Sequence, residues 1–213
     1  MEFIAKALHD YVVSHSQEEP PLLKELTRET HLKVLQPRML SGPLQGRFLS
    51  LLSKLISPQH ILEVGTFTGY ATLCLAEGLA EDGSIDTIDI NEELEDFQRN
   101  FFDRSAWGDQ IHQHIGNAIE IIPRLEKTYD LIFLDADKKN YLNYLDHVLP
   151  KLKKGGVLLS DNVLWSGKIL EPTQKKDIDT AVLKEFNKKL AHHPELETVL
   201  LPLRDGLTLS RKI

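Results

Sequence analysis

Cysteine is almost absent from this chain of 213 residues, which contains only one. A single cysteine cannot form an internal disulfide or build a thiolate metal cluster, so the fold depends on neither. Long hydrophobic runs are also missing, and none approaches the roughly 18 to 20 apolar residues of a membrane span. Residues 1–10 lack the basic-then-apolar pattern of a secretion signal. We therefore expect a cytoplasmic globular protein that does not associate with membranes.

Positive charge is in short supply as well. The chain has 25 Lys and Arg residues against 32 Asp and Glu residues, which gives a formal net charge of −7. Nucleic-acid binding needs a basic face, so this balance argues against a nucleic-acid partner. The length suits one domain of ordinary size rather than two. We therefore predict a single domain over residues 1–213.

The spacing of apolar residues changes character near His60. Before it, apolar residues recur every three or four positions, which predicts a helical N-terminal cap over residues 1–57. After it, short apolar runs alternate with helical patterns. The predicted strands are 61–64, 85–90, 111–115, 131–134 and 157–159, and the predicted helices between them are 70–80, 92–102, 118–125 and 141–152. Continuous apolar strands separated by helices indicate a parallel sheet that is covered on both faces.

The last part of the chain breaks this alternation. After a predicted helix over 177–190 come two predicted strands, 196–201 and 207–213, joined by only five residues. Such a connection is too short for a crossover helix, so this pair must be antiparallel. The predicted fold is therefore α/β: a doubly wound, Rossmann-like, mostly parallel sheet of seven strands with an antiparallel C-terminal hairpin and an N-terminal helical extension.

A glycine-containing loop follows the first predicted strand, in the segment EVGTFTGY. Gly65 and Gly69 would let a ligand approach the backbone and the N-terminal amides of the next helix. Asp89 ends the second strand, where a carboxylate could bind the two hydroxyls of a ribose. Phe67 replaces a glycine of the dinucleotide pattern and Glu63 would repel a pyrophosphate, which favours a cationic or zwitterionic ligand carrying an adenosine. The alternative is that the glycines serve only a tight turn and helix packing.

Hard oxygen ligands follow the fourth and fifth predicted strands, at Asp135 and at Asp161 with Asn162. In a doubly wound sheet these strand ends open on the same edge as the glycine loop. Two carboxylates and an amide oxygen favour Mg²⁺, with Ca²⁺ or Mn²⁺ as alternatives, over Zn²⁺. The competing interpretation is that these residues cap the helices that follow.

Lys138 follows Asp135 by three residues and could reach an oxygen held at such a site. Burial and a nearby cation both lower the pKa of a lysine, which would make Lys138 a general base. Two other roles stay open: the start of a solvated helix, and an ion pair with Asp137.

Four segments together resemble the cation-dependent, S-adenosylmethionine-dependent O-methyltransferases, the caffeoyl-CoA and catechol O-methyltransferase group. They are EVGTFTGY, IDI, FLDADK and LSDNVLWSG, and residues 39–49 also resemble the stretch that precedes the glycine loop in that family. The resemblance implies a methyltransferase fold and cation-dependent transfer of a methyl group from S-adenosylmethionine to a hydroxyl of a catechol-like small molecule. It also implies a homodimer.

The resemblance assigns a role to each matching position. The implied cofactor-binding residues are Met39, Ser41, Glu63, Gly65, Thr66, Tyr70, Ala71, Asp89, Ile90, Ala118 and Asp135, with Gly116 and Asn117 beside the adenine. The implied metal ligands are Asp135, Asp161 and Asn162, and the implied catalytic residues are Lys138 and Asp135. Ala71 stands where several relatives have serine, so a hydroxyl contact with the cofactor carboxylate must come from Thr72, the backbone or water.

The aromatic acceptor is expected to contact Trp165, Lys138 and Tyr141, with Tyr144 and Arg204 as further candidates whose alternative role is packing or ion pairing. Two other functions share parts of the pattern. A nicotinamide-dependent dehydrogenase has the same strand, loop, helix and acid, and a non-catalytic protein could bind an adenosine ligand on this fold. The residue at position 67 argues against the first, and the complete set of metal ligands and lysine argues against the second.

Overall fold

Three helices form the N-terminal part of the protein: α1 (Lys6–Ser14), α2 (Pro21–Lys33) and α3 (Gly42–Ile56). The computed structural model describes residues 4–213. Helices α2 and α3 each carry a proline in their first turn, where its missing N–H removes no intrahelical hydrogen bond. Buried leucines of α2 and α3, namely Leu23, Leu26 and Leu49, join the core on one face of the sheet. The predicted N-terminal helices are therefore present, and α2 and α3 pack on the rest of the fold. Residues 1–3 of the predicted cap lie outside the described residues.

A single seven-stranded sheet organises the remainder of the chain. Its strands are β1 (His60–Val64), β2 (Ser84–Asp89), β3 (Ile111–Ile115), β4 (Tyr129–Leu134), β5 (Leu152–Asp161), β6 (Leu196–Leu201) and β7 (Leu207–Lys212). The strand order is β3-β2-β1-β4-β5-β7-β6. Strands β1 to β5 are parallel, whereas β7 runs antiparallel to both β5 and β6. The predicted fold class is confirmed.

Helices cover both faces of the sheet because successive strand residues point to opposite sides. Five helices follow in the chain: α4 (Tyr70–Ala76), α5 (Glu95–Asp103), α6 (Ala118–Ile121), α7 (Tyr141–Val148) and α8 (Ile178–Ala191). Ile61 packs with α2 to α5 on one face, and its neighbour Leu62 packs with α6 to α8 on the other. The strand order reverses between β1 and β4, and ligands bind at such a switch point in doubly wound sheets. No helix within residues 4–213 is long and apolar enough to cross a membrane.

Several predicted boundaries were wrong. Helix α7 ends at Val148 rather than at residue 152, and β5 begins at Leu152 rather than at residue 157. Pro150 lacks an N–H and its ring disfavours a continuing α-helix, so the chain passes through the short 3₁₀ helix Leu149–Lys151 into the strand. Helix α4 ends at Ala76 rather than at residue 80, and Gly78 then packs so closely that an added Cβ would lie 2.2 Å from the backbone of Ser53 in α3.

Candidate active site

A cavity of about 2040 Å³ lies at the carboxyl ends of the parallel strands. Its wall contains the predicted site residues Met39, Ser41, Gly65, Asp89, Ile90, Ala118, Asp135, Lys138, Asn162 and Trp165. The other predicted residues are buried and are not part of the wall: Glu63, Thr66, Tyr70, Ala71, Tyr141 and Asp161. Tertiary structure therefore brings most of the predicted positions to one place and holds the rest in the surrounding core.

The glycine loop is shaped by two close approaches of the backbone. Gly65 has φ +106°, and an added Cβ there would lie 2.0 Å from the carbonyl oxygen of Asp135. Gly69 has φ +86°, and its Cβ would lie 2.5 Å from the ring of Phe102. These glycines thus do serve a tight turn and close packing, the alternative that the sequence left open. Gly65 also lines the cavity, so the loop combines both roles.

Asp89 is held in place by two backbone amides. Phe67, which adopts a left-handed φ of +50°, donates its N–H to Asp89 Oδ2 at 2.6 Å, and Asn91 donates to Oδ1 at 2.8 Å. Burial raises the pKa of Asp89, although these N–H groups favour the carboxylate. Each oxygen keeps a second lone pair that could accept a hydrogen bond from a ribose hydroxyl.

Glu63 is fully buried and does not present its charge to the cavity. Thr72 and Thr87 both donate to Glu63 Oε2, and Oε1 has no hydrogen-bond partner among the described residues. Burial raises the pKa of Glu63 to about 8, so the carboxyl is mostly protonated at neutral pH. Thr72 was one of the groups expected to replace the missing serine at position 71, but its hydroxyl is directed to Glu63 instead.

Two predicted cofactor residues make structural contacts with their side chains. The hydroxyl of Tyr70 donates to Glu19 Oε1 at 2.5 Å, which links α4 to the segment before α2. The Thr66 hydroxyl lies 2.6 Å from the hydroxyl of Thr87. Neither side chain reaches the cavity wall, so any contact that these two residues make with a ligand must come from the backbone.

The acidic side chains that the sequence predicts as metal ligands, Asp135 and Asp161, lie at the ends of β4 and β5. Asp161 is fully buried; its Oδ1 accepts the N–H of Asn162 at 2.7 Å and its Oδ2 accepts Gln45 Nε2 at 2.6 Å. Burial and the neighbouring charge of Asp135 raise the pKa of Asp161. The sequence left helix capping as an alternative role for these residues. Asp161 instead accepts hydrogen bonds from Gln45 and Asn162, and Asp135 forms an ion pair with Lys138.

The donor set fits a hard divalent cation. Besides burial, the charge of Asp135 raises the pKa of Asp161, and a positive ion bound to the two carboxylates would offset that repulsion. The third expected ligand, Asn162, lies on the cavity wall. Within residues 4–213 no group of three His, Cys, Asp or Glu side chains could hold a metal ion. A cation would therefore depend on Asp135, Asp161 and Asn162 together, with positions left for water or substrate, as Mg²⁺ prefers.

Lys138 lies between the two strand ends and is only 7% exposed. Its Nζ donates to Asp135 Oδ1 at 3.2 Å, to Tyr141 Oη at 2.6 Å and to the Asp161 carbonyl at 3.4 Å. The expected ion pair with Asp137 is not made; Asp137 instead accepts hydrogen bonds from Tyr144 and Asn140. This environment differs from that of a solvated helix start and places the amine beside the proposed metal ligands.

Aromatic and basic groups line the end of the cavity near β5. The short helix Trp165–Leu170 begins with left-handed φ values at Trp165 and Ser166, and both residues lie on the cavity wall. Tyr144 and Arg204 also lie on the wall. Tyr141 does not: it is fully buried behind Lys138, and its hydroxyl donates to the Asp161 carbonyl at 2.8 Å.

Three contacts of the site could not be found by sequence reasoning. Gln45 reaches Asp161 across 116 residues, and no local pattern signals such a pair. Arg204 donates to the backbone carbonyls of Arg38 and Leu40, which ties the β6–β7 connection to the segment before α3. The third contact, between the amide of residue 67 and Asp89, depends on the folded shape of the glycine loop.

Known proteins are similar to this chain in sequence and in fold. A family model described as O-methyltransferase matches residues 13–213. The chain is 34% identical to caffeoyl-CoA O-methyltransferase 5 of Nicotiana tabacum, with 97% of this chain and 91% of the relative covered. It is 36% identical to caffeoyl-CoA O-methyltransferase of Eucalyptus gunnii, with coverages of 97% and 88%.

Solved structures agree with these relatives. An O-methyltransferase from Bacillus cereus in complex with SAH superimposes with a TM-score of 0.90 at 27% identity, covering 97% of both chains. The O-methyltransferase TomG from Streptomyces achromogenes, in complex with SAM, gives a TM-score of 0.87 at 26% identity, with coverages of 97% and 96%. These findings favour methyl transfer over the dehydrogenase and the non-catalytic alternative. The chain therefore belongs to the O-methyltransferase family, and it is an S-adenosylmethionine-dependent O-methyltransferase.

Proposed function

We propose that this enzyme methylates one hydroxyl of an ortho-diphenol in a reaction that depends on a divalent cation, with Mg²⁺ as the expected ion. The observation that supports this is that Asp135, Lys138 and Asn162 lie on the cavity wall beside the glycine loop, and that the buried Asp161 contacts both Lys138 and Asn162. The curated relatives, which are named for caffeoyl-CoA, are consistent with a phenolic acceptor.

The cofactor would occupy the β1–β2 side of the cavity. Gly65 allows close approach of a ligand to the loop, Asp89 offers oxygens to the ribose hydroxyls, and Ala118 borders the adenine. S-adenosylmethionine supplies the methyl group. Met39 and Ser41, from the segment before α3, lie on the same wall and help to exclude water.

The acceptor would occupy the side of the cavity near β5. Asp135, Asp161 and Asn162 would hold the cation, which when bound orients the two adjacent oxygens of a diphenol and lowers the pKa of a hydroxyl. Lys138 would accept the proton of that hydroxyl at Nζ. The resulting oxygen would bond to the methyl carbon in line with the sulfur as the carbon–sulfur bond breaks, which leaves S-adenosylhomocysteine. Because both reactants are held in near-attack geometry, positioning makes the largest contribution to the rate. Trp165 would form one wall for the aromatic ring.

The direct test is a methyl-transfer assay on a panel of ortho-diphenols with S-adenosylmethionine, in Mg²⁺ and in chelator. We expect product with Mg²⁺, a large loss of activity in chelator and recovery when Mg²⁺ is restored. The matched substrates are the corresponding phenols with one hydroxyl, which cannot chelate and should react poorly. Undiminished turnover in chelator would contradict the cation-dependent mechanism.

The role of Lys138 is tested separately. We expect Lys138→Ala to lower kcat by about 10²- to 10⁴-fold, the usual contribution of a general base, while the affinity for SAH stays within a few-fold. Lys139→Ala is the control, because Lys139 is an exposed neighbour that faces Asp137 at 4.0 Å. A Lys138→Ala enzyme with full turnover would refute the proposed base and leave the cation site untouched.

We further propose that residues 1–213 act as one domain and that two copies form a homodimer. Packing of α2 and α3 into the sheet core supports the first point. Exposed apolar side chains on the N-terminal helices, including Leu8, Tyr11, Leu51 and Leu55, support the second. Sedimentation at micromolar concentration should give the mass of a dimer, and a monomer there would contradict the proposal.

A further inference from the structure

Gln45 is a buried residue of α3 that no motif singled out. Its side chain is 1% exposed, and its Nε2 donates to Asp161 Oδ2 at 2.6 Å. Its other polar atom, Oε1, is buried and has no hydrogen-bond partner among residues 4–213. Gln45 also forms part of the cavity wall. The residue therefore connects the N-terminal helices directly to the candidate metal centre.

The contact with Gln45 is one of two that orient the Asp161 carboxylate. The other is the N–H of Asn162, which donates to Oδ1 at 2.7 Å and comes from the adjacent residue. A fully buried carboxylate needs such donors, because an ionised group without hydrogen bonds is strongly disfavoured in the interior. Asn162 alone would fix one oxygen, and the amide of Gln45 fixes the second. The carboxylate plane is thus set by one local contact and one long-range contact.

The unpaired Oε1 of Gln45 is a second, independent observation. Buried polar atoms without a partner are uncommon in native proteins, and they often indicate an unseen water or ion. A carbonyl oxygen accepts hydrogen bonds from water, and Mg²⁺ usually keeps several waters when it binds to proteins. Gln45 lies on the cavity wall and donates to Asp161, a carboxylate that could bind the ion, so a water of a hydrated cation would supply the partner that Oε1 lacks.

We propose that Gln45 is a positioning residue for the cation site, whose amide holds Asp161 in the orientation that binds a divalent ion. This inference rests on the cation dependence in the proposed function. Groups that orient metal ligands in this way typically change metal affinity by about 10- to 100-fold when they are removed. Gln45 acts through Asp161 and is not itself a ligand.

The test measures Mn²⁺ binding by calorimetry or by electron paramagnetic resonance, without cofactor or acceptor. We expect Gln45→Met, which keeps the length of the side chain but has no donor, to raise the Mn²⁺ Kd by about 10- to 100-fold. The matched control is Ser53→Ala on the same helix, which removes a buried hydrogen bond of 2.6 Å to the Leu75 carbonyl. Its Mn²⁺ Kd should stay within about twofold of the original value.

The outcomes separate this inference from the proposed function. If the unmodified protein binds no Mn²⁺, both the cation site and the role of Gln45 are refuted. If it binds Mn²⁺ and Gln45→Met binds it equally well, only the role of Gln45 is refuted. Should Gln45→Met fail to fold by circular dichroism, Gln45→Asn replaces it, because the shorter side chain withdraws the amide from Asp161 while it stays polar. The same weakening is expected, and an unchanged Kd overturns the inference.

Discussion

Replacement of Glu63 by glutamine is expected to make the stability of the metal-free protein less dependent on pH. Glu63 is fully buried, and burial raises its pKa from an ordinary 4.5 to about 8. Between these values the folded protein keeps a proton that the unfolded chain releases. The contribution of Glu63 to the free energy of unfolding is therefore fully present below pH 4.5 and is lost as the pH rises towards 8.

The magnitude follows from the two pKa values of Glu63. A difference of one pKa unit corresponds to 1.36 kcal/mol, so the linkage removes about 3 to 4 kcal/mol of folding free energy between pH 5 and pH 8. Glutamine cannot ionise, so this loss disappears in Glu63→Gln. The substitution also places an amide group where the carboxyl lies, but the contribution of that change is the same at every pH.

Urea unfolding at pH 5, 6, 7 and 8, followed by tryptophan fluorescence in chelator, measures this effect. The free energy of unfolding of Glu63→Gln, minus that of the unmodified protein, should rise by about 3 kcal/mol across the range. Glu197→Gln is the matched control, because Glu197 is 66% exposed and its difference should not change with pH. If the difference in the free energy of unfolding for Glu63→Gln stays constant within about 0.5 kcal/mol across this pH range, Glu63 is ionised in the folded protein and the prediction is wrong.

Two further substitutions test the glycine loop and a buried carboxylate of β2. Gly65→Ala should weaken SAH binding more than tenfold by calorimetry and lower Tm, because the new Cβ would meet the Asp135 carbonyl at 2.0 Å at a φ of +106°; unchanged binding would contradict the close approach. Asp86 is a buried carboxylate bound to Lys127 and His114, and these partners hold its pKa at about 2, below the ordinary 3.8. Asp86→Asn should therefore lower the free energy of unfolding by about 2 kcal/mol at pH 7, as measured by urea unfolding. This difference from the unmodified protein should shrink as the pH falls from 4 to 2, and an equal difference at pH 7 and pH 2 would contradict the prediction.

The placement of the proposed metal ligands was predictable because it depends on topology. Asp135, Asp161 and Asn162 follow two strands that the apolar pattern identifies, and parallel strands place their carboxyl ends at one edge of a sheet. Lys138 was predictable for the same reason, because it lies one short turn after Asp135. Its actual partners were not, since the choice between Asp135 and Asp137 depends on which side of that turn faces the sheet.

The direction of the side chains could not be predicted for several of the expected site residues. Glu63 and Tyr70 lie in the segment that the motif identifies, yet both side chains are buried. Glu63 accepts a hydrogen bond from Thr72, and Tyr70 donates one to Glu19. Tyr141 was expected against the acceptor and lies behind Lys138 instead. Motifs specify positions along the backbone, whereas the packing of neighbouring helices decides which way a side chain turns.

The order and type of the elements, the antiparallel ending and the strand ends that carry the acids could all be predicted from the sequence. These features follow from local periodicity, from short connections and from the handedness of strand and helix. Two features are visible only in the folded protein: Gln45 meets Asp161 across 116 residues, and Glu63 is buried with no ion-pair partner among residues 4–213. Contacts of this kind depend on how α3 and the sheet pack together, and such packing is set by many weak contacts distributed over the chain.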